Sequence, residues 1–255
     1  VVPERAQVPV DELSAVIFDV DGVVTDTASV HAAAWKRVFD DVLRSRTSPT
    51  GAPLRPFDPG RDYLEFVDGR SRADGVRTFL ASRGVTVPET ASPGSSDTAT
   101  VASVAARKDR YFRDHIQRHP VHAYPSTVAL LRRLRDAGIA TAAVSASRNC
   151  AAVLHAADVD GWFDARVDGV DAARLHFPGK PDPALFLEAA RRLAVAPERT
   201  AMVEDSLVGV EAGRRGGFGQ VIGVDRTGQR GELYSRGADI VVGDLAELDI
   251  VRAAP

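Results

Sequence analysis

The chain is poor in several residues whose absence is informative. Among its 255 residues there is one cysteine, Cys150, so no disulfide can form within the chain and a small cross-linked scaffold is excluded. No apolar run approaches the roughly 18 residues that span a bilayer. The N-terminal residues lack the basic-then-apolar pattern of a secretory signal, so a cytoplasmic protein with no membrane partner is expected. The net charge is −3, which leaves no excess of cations to coat phosphates and argues against a nucleic-acid partner. Lysine is scarce as well: of 32 basic residues only Lys36, Lys108 and Lys180 are lysines. Where arginine serves wherever a cation merely has to be soluble, a lysine marks a place that wants a compact ammonium instead of a planar fork.

What remains is ordinary globular material, 44% hydrophobic and 26% charged, enough for one large domain or a domain with an insertion. The run Ala15 to Val20 contains β-branched and aromatic Val16-Ile17-Phe18, as a buried strand requires. After the acidic stretch Asp19-Val20-Asp21-Gly22, apolar Val30, Ala34, Val38 and Val42 recur every four residues beside Trp35 and Phe39. That pattern is one stripe of a helix, expected to be capped by Asp26 or Thr27. Residues 45 to 60 carry Pro49, Pro53, Pro56 and Pro59 and read as a loop. A helical region from Arg61 to Arg83, a loop around 84 to 98 and a long helix to His119 follow, with no convincing strand.

From Tyr124 onward helices and strands alternate. Helices are expected over 126–137, 148–157, 183–193 and 206–215, and strands over 139–145, 200–203, 221–224 and 240–242. Such alternation implies a doubly wound, Rossmann-like parallel α/β sheet. The first strand belongs to that sheet too, so the helical third is an insertion. The expected domains are an α/β core of residues 1–27 and 121–255 and an inserted α-helical cap of residues 28–120.

Ligands of a parallel sheet bind at the carboxyl ends of its strands. Three expected strands end in polar residues: Asp19 and Asp21, Ser145 and Ser147, Glu204 and Asp205. Singly, each reads as a turn former or a helix cap. Together, four acids at one edge would repel unless a divalent cation neutralised them, and an all-oxygen set suits Mg²⁺. Lys180, before a helix that starts near Pro183, can serve as a point charge for an anion there; its alternative is a solvated surface lysine.

The stretch from Phe18 to Thr27, then Ser145-Ala146-Ser147, then Lys180-Pro181, then Glu204-Asp205-Ser206 resemble, in order, the four motifs of the haloacid dehalogenase-like superfamily. Within it the chain most resembles the β-phosphoglucomutase subfamily, on Thr25-Asp26-Thr27-Ala28, His31, Ala34-Trp35-Lys36, Gly69, Ser71-Arg72, Lys108 and the run Ser145 to Asn149. The helical insertion then corresponds to that subfamily's mobile cap. The resemblance implies Asp19 as nucleophile and Asp21 as general acid/base. It implies Mg²⁺ held by Asp19, the backbone carbonyl of Asp21 and Asp205, with Glu204 nearby, and Ser145 and Lys180 on the transferring phosphoryl. Substrate binding would fall to Thr27, His31, Gly69, Ser71, Arg72, Lys108, Ser147, Arg148 and Asn149. Asp68 and Arg70 depart from the subfamily's pattern, and two cap loops are longer than usual.

The chemistry is consistent on independent grounds. A transferring phosphoryl needs charge neutralisation and an in-line carboxylate, and a second acid two residues on can protonate the leaving oxygen. His31, one turn beyond Thr27, either faces the cleft and bonds the acid/base or substrate, or packs; both readings stay open. Lys108 sits on a helix full of charge, where a solvated lysine is ordinary. Cys150 reads as packing.

The expected activity is interconversion of β-D-glucose 1-phosphate and glucose 6-phosphate by a monomer acting on a small sugar phosphate. A phosphatase on the same fold is the alternative. A signalling receiver domain, also a doubly wound sheet with a phosphorylated Asp and Mg²⁺, is disfavoured by the chain length, the insertion and the Asp-x-Asp directly on strand one.

Overall fold

The protein is described by a computed structural model covering residues 6–9, 12–46, 51–91 and 99–251. Parts of the two expected loops, 47–50 and 92–98, lie outside the described residues. The strands are β1 (Ala6–Pro9), β2 (Ala15–Asp19), β3 (Ala140–Val144), β4 (Ala165–Val167), β5 (Thr200–Glu204), β6 (Gln220–Val224), β7 (Ile240–Val242) and β8 (Leu248–Val251). The helices are α1 (Ala28–Arg44), α2 (Arg61–Phe66), α3 (Arg72–Ser82), α4 (Val101–Arg118), α5 (Pro125–Asp136), α6 (Cys150–Ala156), α7 (Gly169–Leu175), α8 (Ala184–Arg192), α9 (Leu207–Arg215) and α10 (Arg230–Arg236). The chain divides into two compact units, Val1–Asp26 with Val121–Pro255, and Thr27–Pro120.

The first unit holds a six-stranded parallel sheet in the order β4-β3-β2-β5-β6-β7. After β2 the chain builds outward on one side through β3 and β4, then returns to the other side of β2 for β5, β6 and β7. The carboxyl end of β2 is therefore the point where the winding reverses, the place where such sheets open a crevice. β2 is buried along its whole length because it has strands on both edges and α8 packed against it. Ile17, Val144, Phe186, Met202 and Val221 belong to the core built there.

Several short elements carry no pattern a sequence reading could catch. β4 has three residues, one of them the exposed Arg166, and lies at the sheet edge where only one neighbour needs satisfying. β1 and β8 pair parallel as a separate two-stranded sheet. α7 follows Asp168, whose side chain caps Val170 N–H while Asp171 reaches back to the Asp168 N–H.

The second unit contains α1 to α4 and no strand among its described residues. α1 and α3 both pack on α4. Trp35 stacks on Phe39 at 4.8 Å, and Phe39 meets Phe57 and Phe79 at 5.3 and 4.1 Å. Two expectations gain detail here. The helical region from 61 to 83 is two helices, interrupted before Ser71, which starts α3 by accepting Asp74 N–H. Thr27 holds the N-cap position of α1, as expected, but without a side-chain cap bond, while Asp26 accepts from Tyr124. No helix among the described residues is long and apolar enough to cross a membrane.

Candidate active site

Strand register assembles the acids. Asp19 ends β2 opposite Val144, so Ser145, the next residue, emerges beside it. On the other side Phe18 lies opposite Val203, which sets Glu204 level with Asp19. Lys180 enters from the loop before α8, following a segment that closes on a cis Lys180–Pro181 peptide.

Lys180 is buried, contrary to a solvated surface lysine. Its Nζ donates to Asp19 Oδ1 at 2.6 Å and to Glu204 Oε1, and lies 4.9 Å from the Phe186 ring centre. Burial alone would pull this ammonium down, but Asp19 and Glu204 outweigh that and hold it above its usual value. Burial pushes the Asp19 carboxyl well above the carboxylate range; Lys180 opposes the shift, while Glu204 and Asp21 add to it. One ammonium faces more than one negative charge, and the imbalance is what a divalent cation relieves.

Asp21 Oδ2 accepts from Ser145 Oγ at 3.0 Å, and Ser145 Oγ accepts in turn from Ser147 N–H at 3.0 Å. Ser147 Oγ accepts from Asn149 N–H, while Arg148 is exposed. The loop after β3 is thus a chain of hydrogen bonds ending on the second acid.

Glycine decides two close approaches. Gly22 has φ +95°, and a methyl group there would collide with the Asp205 carboxylate. A methyl on Gly209 in α9 would collide with the Glu204 carboxylate. Glu204 therefore sits under the start of α9, with Oε2 accepting Ser206 N–H at 2.6 Å and Oε1 on Lys180. Both of its oxygens thus face protein donors, which tie it to Lys180 and to the Asp205-Ser206 turn.

Among the described residues no three His, Cys, Asp or Glu side chains converge as a complete metal cage. Mg²⁺ ordinarily keeps several waters and is bound through one or two carboxylates plus substrate phosphate oxygens. The all-oxygen set of Asp19, the Asp21 carbonyl and Asp205, in a neighbourhood with excess negative charge, fits that ion.

In the helical unit, Lys108 is buried as well, against the ordinary expectation for a charged helix. Its Nζ is 2.6 Å from His31 Nδ1 and lies 5.2 and 4.9 Å from the ring centres of Trp35 and Phe112. An ammonium can only donate, so in this contact Nδ1 is the accepting atom. Thr27 is buried. Gly69 turns at φ +66°, Ser71 bonds Asp74, and Arg72 pairs with Asp109 at 2.5 Å. Sequence motifs do not single out Tyr124 and Arg226. The signal for Arg226 is its place just past the carboxyl end of β6, the edge where the acids stand.

Residues 13–217 match the family of haloacid dehalogenase-like hydrolases. A β-phosphoglucomutase of Mycobacterium bovis is 42% identical over 241 residues, 93% of this chain and 92% of that protein. A phosphorylated carbohydrates phosphatase of Thermotoga maritima is 26% identical over 213 residues, 83% of this chain and 85% of that protein. Among solved structures, a β-phosphoglucomutase of Clostridium difficile superposes with a TM-score of 0.71 at 23% identity, covering 93% of both chains.

Proposed function

The chain belongs to the haloacid dehalogenase-like hydrolase family, and we propose that it is a phosphomutase interconverting β-D-glucose 1-phosphate and glucose 6-phosphate, working as a cytoplasmic monomer. The observation that carries this reading is the pair of acids at one strand end in different settings: Asp19 against a buried ammonium, Asp21 against a hydroxyl. The first setting suits a nucleophile and the second a proton carrier.

In this reading a carboxylate oxygen of Asp19 attacks phosphorus in line. The bond from phosphorus to the sugar oxygen breaks, and Asp21 gives that oxygen a proton. The sugar attacked is the bisphosphate, so this step leaves glucose 6-phosphate and a phosphorylated Asp19. In the return half the free 6-hydroxyl of an incoming β-glucose 1-phosphate passes its proton to Asp21 and takes the phosphoryl from Asp19, which restores the bisphosphate and frees the carboxylate. Ser145 and Lys180 are the proposed donors to the phosphoryl oxygens. Asp19, the Asp21 carbonyl and Asp205 would hold Mg²⁺, which when bound neutralises charge on those oxygens. For the non-reacting phosphate and the sugar, the candidates are Ser147, Arg148 and Asn149 in the α/β unit and Thr27, His31, Gly69, Ser71, Arg72 and Lys108 in the helical unit.

The second reading is a sugar-phosphate phosphatase, favoured by the Thermotoga maritima relative's name. It differs in whether water or a sugar hydroxyl accepts the phosphoryl. The test is a product assay with β-glucose 1-phosphate, Mg²⁺ and a trace of the bisphosphate. Glucose 6-phosphate as main product supports the mutase, and stoichiometric free phosphate overturns it.

A further inference from the structure

Arg226 stands two residues past the end of β6, outside every motif considered above. Its Nε donates to the Gly22 carbonyl at 3.0 Å and its Nη1 to the Gly243 carbonyl at 3.3 Å. The guanidinium lies 3.9 Å from the centre of the Tyr124 ring, and Asp244, 3.5 Å from Nη1, is held by Ser126. Tyr124 in turn donates to Asp26 at 3.3 Å. Burial, with Asp26 beside it, pushes the Tyr124 phenol up to about 12, so the ring stays a neutral face for the cation.

Gly22 is the hinge of this arrangement. Its N–H donates to the Thr25 carbonyl, which sets the plane of the Asp21–Gly22 peptide and hence the direction of the Asp21 carbonyl. Arg226 grips the next peptide along. Gly22 is also the residue against which the Asp205 carboxylate lies. The residue that Arg226 pins therefore directly follows the Asp21 carbonyl in the chain and lies against the Asp205 carboxylate.

The same network reaches the two strands of chain that connect the units. Asp26 N–H donates to the His122 carbonyl, Tyr124 N–H to the Val24 carbonyl, and Thr25 bridges antiparallel to Ala123. One guanidinium thus touches both the catalytic loop and the ring that braces these connections. Arg226 Nη2 is buried and has no hydrogen-bond partner among the described residues. An orphaned buried donor is costly, and that cost is borne here while Nε and Nη1 keep their bonds to the Gly22 and Gly243 carbonyls.

We propose that Arg226 is a positioning residue of the phosphoryl-transfer site, which fixes the Gly22 peptide so that the Asp21 carbonyl and Asp205 are set for Mg²⁺, with Tyr124 as its platform. The proposal rests on the phosphoryl-transfer reading above and holds for mutase and phosphatase alike.

Three variants of the full chain test it: Arg226→Met, Arg226→Lys and Tyr124→Leu. Mg²⁺ alone is titrated calorimetrically into the free protein. Half-saturating Mg²⁺, kcat and KM are then measured with p-nitrophenyl phosphate, alongside Tm. Arg226→Met is expected to raise the Mg²⁺ Kd and the half-saturating concentration together, about tenfold, with KM within twofold of the original. Arg226→Lys keeps the charge but loses the fork, and should recover only part of that loss. Tyr124→Leu should show a smaller shift in the same direction. Mg²⁺ affinity within twofold of the original in all soluble variants, with only Tm lowered, overturns the proposal. If Arg226→Met does not fold, the other two variants decide by the same criterion. Failure of the original protein to form glucose 6-phosphate, with these Mg²⁺ shifts intact, overturns the mutase reading and leaves the positioning role standing.

Discussion

Lys180 and Asp19, 161 residues apart in sequence, meet at 2.6 Å inside the α/β unit, and the same ammonium also bonds Glu204. A single cation therefore ties the end of β2 to the end of β5. Its removal is expected to lower both stability and turnover. Lys180→Met leaves two buried carboxylates facing each other and is expected to cost about 3–5 kcal/mol, read by urea denaturation. Lys180→Arg should not restore turnover, since the guanidinium is longer and forked where the site holds a point charge. An arginine variant with a near-normal rate would contradict the role given to Lys180.

Asp19→Asn should abolish phosphoryl transfer, by about a thousandfold or more, because an amide cannot act as the attacking carboxylate. Asp21→Asn should cripple turnover while Mg²⁺ affinity stays within threefold, since only the backbone carbonyl of Asp21 is assigned to the metal. Calorimetric Mg²⁺ titration of the two variants checks the contrast, and equal losses of affinity would argue against it.

Gly22→Ala tests the approach of Asp205. The residue has φ +95°, which a side chain resists, and its new methyl would strike the Asp205 carboxylate. The expected result is a loss of Mg²⁺ affinity of about 10- to 100-fold with the fold retained by circular dichroism.

Arg72, paired with Asp109 in the helical unit, is the candidate for gripping the phosphate that is not reacting. A mutase needs that grip to hold its bisphosphorylated intermediate, whereas hydrolysis of a small phosphate does not. Arg72→Ala is expected to lower mutase flux strongly and to change acetyl phosphate hydrolysis little. Parallel losses, or none, would favour the phosphatase reading.

Glu188 on α8 carries a pH signature. Bonds from Arg191 first, and from Arg192, hold its carboxyl down at about 2 against the opposing effect of burial. The folded value lies below the unfolded one of about 4.3. The contribution to stability is therefore complete above about pH 4.3 and is lost as pH falls toward 2. Glu188→Gln should melt below the original protein at pH 7, with the gap closing across that window. A gap that stays constant down to pH 2.5 would show that the ion pairs do not carry it.

The sequence by itself determined where each acid sits along the chain and on what kind of element. Val16-Ile17-Phe18 reads as a buried strand, and the four-residue apolar spacing from Val30 to Val42 reads as one buried helical face, so local chemistry pointed to both elements. Lysine scarcity pointed to three positions, of which Lys180 and Lys108 are buried, whereas Lys36 is a half-exposed partner of Asp40. Tertiary structure decided the partners. That Asp21 faces Ser145, that Glu204 faces Lys180, and that Arg226 reaches Gly22 across 204 residues follow from strand order and register. No local pattern records these pairings. β1, β4 and β8 were illegible although the equally short Ile240–Val242 was read: Gln7, Arg166 and Asp249 interrupt their apolar runs, and their pairing depends on neighbours that the fold brings to them.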